Sequence, residues 1–147
     1  IALVGTLSHE VAHAYRHANE LRLSDSAVEE PLTDLTTVYL GFGILTTNAS
    51  QRFRSGRSAP GGSWWSRSVG GYLGMQSMCY LLGAQVVARG SAPKLLSRLL
   101  SPNQRACFTA ACKELGARDA LLERLGLPAA PTKDAPRRSW MRRLFGS

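Results

Sequence analysis

Along the first part of the chain, hydrophobic and polar residues alternate with the period of a helix. The apolar positions follow one another at steps of three and four: Ala2, Leu3, Leu7, Val11, Ala14, Ala18 and Leu21. Because residues at this spacing share one face of an α-helix, the pattern predicts an amphipathic helix over residues 2–22 that buries this face.

A second helix follows, and two competing signals leave its start open. Ser26 and Glu29 match a capping box, in which each side chain bonds a free amide of the first turn. A helix that begins there places Pro31 in its interior, where the ring clashes with the preceding turn. Pro31 is instead well suited to be a first helical residue. We therefore place the start between residues 27 and 31.

From Leu32 to about Thr47 the chain is apolar on nearly every side, which is typical of a buried helix. Gly41 and Gly43 lower the helix propensity of this segment, which indicates close packing against a neighbouring element. Residues 49–71 differ, because they contain four arginines, no acidic residue and two Gly-Gly pairs. They predict a loop that is long enough to have a function or to be disordered.

The remaining pattern is helical as far as Gly126. We expect helices over residues 72–89, 92–100, from Ser101-Pro102 to about Gly116, and 118–125. Residues 127–147 are rich in Pro and Ala and end in a basic amphipathic segment, which predicts a flexible basic tail. The predicted fold class is therefore mainly α, with one helical domain over residues 1–126.

Composition narrows the class of protein without identifying it. The chain has 147 residues, of which 44% are hydrophobic, and a formal charge of +8. These values fit one folded domain and exclude a disordered chain, a collagen and a disulfide-dense small protein. Cys79, Cys107 and Cys112 form no C-x-x-C pair, so we expect three buried thiols in a reducing compartment.

Neither a secretory signal nor an apolar stretch of about 18 residues is visible, which favours a cytoplasmic protein. The chain begins with Ile, and its most informative motif starts at residue 9. We therefore expect the C-terminal portion of a longer protein, in which a small sheet can precede the helices.

That motif is His9-Glu10-Val11-Ala12-His13, an H-E-x-x-H sequence on the first predicted helix. Residues four apart have Cβ atoms about 5–6 Å apart on one helix face, so both imidazoles can reach one Zn²⁺. Glu10 then lies beside the metal without binding it, where it can take a proton from metal-bound water. The simpler alternative is a histidine pair at the polar edge of a core.

A catalytic zinc needs three protein ligands and an open position. Since no acidic residue occurs in 35–113, the third ligand is sought in residues 20–34. Glu30 and Asp34 lie four apart on the second predicted helix, where Glu30 can complete the coordination. Asp34 can accept the free N–H of a ligating histidine and fix its tautomer.

Three further assignments stay open. Glu29 is an alternative to Glu30, because helix starts shift by a few residues. His17, four residues after His13, is an alternative ligand, although a surface histidine is the favoured interpretation. Tyr72 is a candidate hydrogen-bond donor to an oxyanion, against the simpler role of a core aromatic.

The pair His9-Glu10-x-x-His13 and Glu30-x-x-x-Asp34 resembles the active site of gluzincin zinc peptidases, the thermolysin-like arrangement. The run from Glu30 to Gly43 and the later Gly71-Tyr72-Leu73 element are also similar to a group of uncharacterised bacterial proteins. Together the likeness covers about residues 3–89.

The resemblance implies a helical core in which the H-E-x-x-H helix packs against the E-x-x-x-D helix. By the same resemblance, the zinc ligands are His9, His13 and Glu30, and Asp34 supports a histidine. Glu10 is then the general base that activates a zinc-bound water to hydrolyse a peptide or protein substrate.

Two other functions fit the same residues. The arginines of residues 49–71 and the basic tail suit a module that binds nucleic acid or an anionic membrane surface. A catalytically inactive protein that keeps the zinc needs the same ligands as an active enzyme. The sequence predicts no oligomeric state.

Overall fold

The computed structural model describes residues 2–58 and 62–127, with the backbone alone for residue 2, for 52–58 and for 62–69. The helices are α1 (Ala2–Ala18), α2 (Ser26–Thr37), α3 (Gly43–Ser50), α4 (Met75–Ala88), α5 (Pro93–Ser97), α6 (Pro102–Leu115) and α7 (Arg118–Arg124). Strands β1 (Gln51–Ser58) and β2 (Gly62–Val69) form an antiparallel hairpin in which Gln51 pairs with Val69. The predicted class, mainly α, is confirmed, and the predicted tail lies outside the described residues.

The prediction of a loop over residues 49–71 is wrong, because this segment contains the hairpin. Its pairing runs without a break from Gln51–Val69 to Ser58–Gly62. The ladder of backbone hydrogen bonds satisfies amides and carbonyls whatever the side chains, so strands can form where the apolar residues do not alternate.

The main hydrophobic core lies between α4 and α6. Its buried members are Cys79, Leu82, Val86, Leu100 and Phe108, and Ile44 of α3 packs against them. A second cluster joins α4 to the C-terminal end of α6 and to α7, through Val87, Leu115 and Leu121. Burial of each large side chain contributes about 1.5–3 kcal/mol, which makes this half of the molecule the main source of hydrophobic stability.

The orientation predicted for the first helix is wrong. Leu3, Leu7 and Val11 belong to the predicted buried face, yet they are 69%, 54% and 47% exposed. The buried line is instead Gly5, Ser8, Ala12 and Arg16. A Cβ on Gly5 would lie 2.7 Å from the Cβ of Ala49 in α3, so small residues set the closeness of this packing. α1 also packs against α2, as expected for the two motif-bearing helices.

The single helix predicted over residues 32–47 is two helices joined by a wide π-type turn, Val38–Phe42. Gly41 lies in this turn with φ of 98°, a left-handed conformation that glycine adopts without a Cβ clash. A Cβ on Gly41 would meet nothing within 4 Å, so close packing does not explain this glycine. At Gly43 the close-packing prediction is confirmed, since a Cβ there would lie 2.9 Å from Leu82.

Helix α2 begins at Ser26, before the predicted 27–31, and keeps Pro31 in its interior. Its cap is Asp25, whose carboxylate accepts the Ala27 N–H at 2.9 Å. The predicted capping box is therefore wrong, and the Glu29 side chain is free to bond elsewhere.

The three cysteines are free thiols, as predicted, but the prediction that all three are buried is correct only for Cys79. Cys79 is buried, and Cys107 and Cys112 are half-buried. In the part of the chain that the structure describes, no helix has both the length and the apolar character to cross a membrane.

Candidate metal centre

Two histidines of α1 and one carboxylate of α2 meet at a single point. His9 and His13 lie one turn apart, with ring centroids separated by 4.7 Å and planes at 84°. Glu30 Oε2 lies 3.1 Å from His9 Nε2 and 3.3 Å from His13 Nε2. One potential ligand atom from each of the three residues lies within 4.8 Å of the other two. The predicted ligand set is thus brought together by the fold.

Asp34 holds the far side of the His9 ring. Its Oδ1 lies 2.9 Å from His9 Nδ1, and its side chain is only 6% exposed. Burial acts to raise the pKa of the Asp34 carboxyl, but hydrogen bonds from His9, Leu73 and Tyr72 outweigh it and hold that pKa below its ordinary value. An ionised Asp34 accepts the Nδ1–H of His9 and leaves Nε2 facing Glu30.

The same carboxylate raises the pKa of His9. The hydrogen bond to Asp34 is the largest cause, burial opposes it, and Glu30 adds a smaller increase. A cation at the convergence point would therefore compete with a proton on His9, since each needs the Nε2 lone pair.

Residues 70–73 wrap around Asp34. The amides of Tyr72 and Leu73 donate to Asp34 Oδ2 at 2.7 and 2.8 Å. Gly71 has φ of 87°, and a Cβ on it would lie 3.0 Å from the same oxygen. Because the backbone turns around the carboxylate here, α4 begins at Met75 and not at the predicted residue 72.

The Tyr72 ring stacks on His9, with centroids 5.8 Å apart and planes at 25°. Its side chain is an exposed one, at 64%, so the alternative of a core aromatic is wrong. An exposed ring against a candidate ligand is compatible with the predicted oxyanion donor, and that role stays a prediction.

The Glu29 carboxylate is paired with Arg16 and not with a histidine. Arg16 donates to both of its carboxylate oxygens, from Nε at 3.1 Å and from Nη2 at 2.8 Å. The Leu23 amide donates to it at 2.9 Å. The hydrogen bond from Arg16 is the largest cause that lowers the pKa of Glu29 to about 2. Of the two adjacent glutamates, it is Glu30 that approaches the histidines.

Glu10 and His17 are both exposed on α1. Glu10 follows His9 directly and is not one of the three convergent ligands, and its role as a proton acceptor stays a prediction. His17 does not join that group among the described residues, so the alternative of His17 as a ligand gains no support.

Two residues at the site, Thr33 and Arg16, were not predicted from the sequence. Thr33 is fully buried, and its Oγ1 lies 3.3 Å from His13 Nδ1. Arg16 is buried against α2 through its pair with Glu29. The sequence did contain a signal for both residues, namely their spacing. Thr33 lies three residues after Glu30, and Arg16 lies three residues after His13, so each shares a helix face with a candidate ligand.

An open apolar groove of about 510 Å³ runs between α2 and α4. It is lined mainly by Pro31, Leu32, Leu35, Leu73, Tyr80 and Leu81. Two of these residues adjoin the site, since Pro31 follows Glu30 and the Leu73 amide bonds Asp34. The side chains of the hairpin arginines and of Trp64-Trp65 lie outside the described residues, so contact with an anionic partner stays a prediction.

Comparison with protein-family models, with curated proteins and with solved structures found no match to this chain. The class of protein therefore rests on the fold and the geometry of the site. They define a mainly helical protein with a two-histidine, one-carboxylate cluster that can hold a metal ion.

Proposed function

We propose that this chain is a zinc-dependent, metallopeptidase-like hydrolase. The observation that carries the proposal is the convergence of His9 Nε2, His13 Nε2 and Glu30 Oε2, with Asp34 bonded to the other nitrogen of His9. A surface pair of histidines needs neither a carboxylate between the rings nor a buried one behind them.

The donor set fits zinc in a catalytic role better than in a structural one. Imidazole nitrogen and carboxylate oxygen are both ordinary zinc ligands, and catalytic sites keep three protein ligands with a fourth position open. Structural sites usually close the sphere with four ligands and favour cysteine. The ligand side chains of His9, His13 and Glu30 are 15%, 27% and 22% exposed, so water and substrate can reach the centre.

A bound zinc ion would supply Lewis acidity, which polarises a substrate carbonyl and makes water more acidic. The residues of the chain supply the rest. Glu10 accepts a proton from water and returns it to the leaving amine, a role that needs an exposed carboxylate next to a ligand. Asp34 accepts the hydrogen bond of His9 Nδ1, which fixes the orientation of the ring and turns Nε2 towards the metal position.

The groove between α2 and α4 offers a place for the substrate. Its lining is mostly apolar and includes Pro31, which follows Glu30 in the chain, and Leu73, whose amide donates to Asp34. We therefore favour a peptide with a large apolar side chain near the cleaved bond.

The test is zinc content followed by digestion of a broad peptide library. The purified chain is expected to bind about one zinc ion per molecule and to cleave a subset of the peptides. Glu10→Gln is expected to keep the zinc and to lose at least about 100-fold in cleavage, the typical contribution of a general base. Glu20→Gln is the matched control, because Glu20 is also an exposed acid but lies beyond the end of α1.

The outcomes separate the competing functions. Full activity of Glu10→Gln would contradict the mechanism, and the absence of zinc binding would contradict the metal centre itself. Zinc binding without cleavage of any peptide would favour the catalytically inactive zinc protein.

A further inference from the structure

The two histidines are supported in different ways. His9 has a carboxylate behind it, whereas the Nδ1 of His13 faces a neutral hydroxyl, Thr33 Oγ1, at 3.3 Å. A ligating imidazole needs its second nitrogen fixed, because a ring that turns or changes tautomer withdraws its lone pair from the metal. The orientation and tautomer of His13 therefore depend on its hydrogen bond with the Thr33 hydroxyl.

The hydrogen bonds of Thr33 decide the direction of this contact. A hydroxyl has one proton and two lone pairs. The Thr33 hydroxyl donates that proton to the Glu29 carbonyl oxygen at 3.0 Å, one turn back along α2. Towards His13 it can then only accept, so Nδ1 must carry the proton. In the neutral imidazole the lone pair of His13 is then on Nε2, the atom that lies 3.3 Å from Glu30 Oε2.

The position of Thr33 is rigid. Its side chain is fully buried, and the residue belongs to α2, which also supplies Glu30 and Asp34. A β-branched side chain in a helix has few rotamers, so little freedom remains for the hydroxyl. One helix thus presents the third ligand and the supports of both histidines.

We propose that Thr33 is a positioning residue, which sets the tautomer and the orientation of His13 for metal binding. This inference rests on the proposed metal centre. Thr33 touches no reacting atom in this assignment and acts only through His13.

The experiment measures the zinc affinity of the full chain by competition with a chromophoric chelator. Thr33→Val keeps the shape of the side chain and removes the hydroxyl, and it is expected to weaken zinc binding at least about tenfold. Thr33→Ser restores the hydroxyl and is expected to bind within about threefold of the wild type, a margin well inside the tenfold effect of outer-shell contacts.

Thr37→Val is the matched control. Thr37 is equally buried on the same helix, but its hydroxyl bonds the Asp34 carbonyl and Thr46 and no histidine. Loss of a buried threonine hydroxyl is therefore common to both valine variants, and only Thr33→Val is expected to change zinc affinity.

A second measurement needs no variant to fold. In the metal-free, ¹⁵N-labelled wild type at alkaline pH, long-range nitrogen–proton correlations are expected to show the proton of the neutral His13 ring on Nδ1. A proton on Nε2, or equal zinc affinities of Thr33→Val and the wild type, would overturn the inference and leave the metal centre intact. A wild type that binds no zinc would overturn both.

Discussion

The two halves of the molecule are buried by different kinds of side chain. Between α4 and α6 the interior is mostly apolar, from Cys79 to Phe108, with Gln104 as a buried polar side chain. Around α1, α2 and α3 it is largely polar, with these buried side chains: Ser8, Arg16, Glu29, Thr33, Asp34, Thr36, Thr37, Thr46, Thr47 and Ser50. The candidate ligands all belong to the polar half.

The apolar half therefore contributes mainly to the stability of the fold, and the polar half mainly to the positions of the site residues. Apolar burial is strong and has no direction, whereas a hydrogen bond contributes only about 0.5–1.5 kcal/mol net but fixes one atom relative to another. Arg16 with Glu29 and Asp34 with His9 therefore define where α1 lies against α2. We expect substitutions in the apolar half to change stability alone, whereas in the polar half the effect depends on whether the side chain pairs the two helices or contacts a candidate ligand.

The largest expected effect is the loss of Phe108. Phe108→Ala removes a fully buried ring from the α4–α6 core and is expected to lower the free energy of unfolding by about 3–5 kcal/mol. Denaturant unfolding in the absence of metal measures it. Leu99→Ala, at a side chain that is 61% exposed, is the control and is expected to change that free energy by at most about 0.5 kcal/mol. A similar loss in both variants would mean that this core is not the main source of stability.

The adjacent glutamates are expected to respond in opposite ways. Glu29→Gln leaves the Arg16 guanidinium buried without its carboxylate, so it is expected to lower the melting temperature of the metal-free chain. Glu30→Gln removes a proposed ligand, so it is expected to weaken zinc binding well beyond tenfold with little change in that temperature. Calorimetry and chelator competition on both variants check this pair. The reverse pattern would identify Glu29 as the ligand.

Acid is expected to weaken the contact between α1 and α2 through Glu29. Its pKa is about 2 in the folded chain and has an ordinary value of 4.5, so the native state favours the ionised form. The resulting stabilisation is complete above about pH 4.5 and is lost as the pH falls towards 2. Urea unfolding at a series of pH values measures the loss. The difference between wild type and Glu29→Gln is expected to shrink across that interval, and a constant difference would contradict the assignment.

The smallest expected effect concerns Gly71. Gly71→Ala and Gly41→Ala both place a Cβ in left-handed backbone, with φ of 87° and 98°, and each is expected to cost about 1–2 kcal/mol of stability. Only at Gly71 does the new Cβ meet Asp34, at 3.0 Å. Zinc affinity is therefore expected to fall for Gly71→Ala alone. Equal affinities in the two variants would mean that the loop does not position Asp34.

The sequence predicted those features of the fold that depend only on residues close together in the chain, such as helix starts and residues on one helix face. Ser101-Pro102 does begin α6. As predicted from their spacing, His9 and His13 lie on one face of α1 and Glu30 and Asp34 on one face of α2. The choice between Glu29 and Glu30 was open in the sequence, because it depends on Arg16, a residue on another helix. Thr33 was overlooked for a similar reason, because its partner His13 also lies on another helix and spacing along α2 alone does not name it.

The errors have a common physical cause. The periodicity of α1 marked Leu3, Leu7 and Val11 as its buried face, but the neighbouring helix approaches at Gly5, where no side chain keeps it away. Small residues carry little hydrophobic signal, yet they allow the closest packing. The hairpin went unpredicted because its strands are held by backbone pairing and show no alternation of apolar side chains.

The hydrogen bonds from residues 70–73 to Asp34 join parts of the site that are far apart in the chain. Every proposed ligand lies within the first 30 residues, but two of the amides that hold Asp34 arrive from residues almost 40 positions later, after the hairpin. A nascent chain that ends before residue 70 has the ligands and still leaves that carboxylate short of two donors. The hairpin therefore lies in the chain between the ligand-bearing helices and the loop that completes the hydrogen bonds of Asp34, and those bonds form only when residues 70–73 pack against α2.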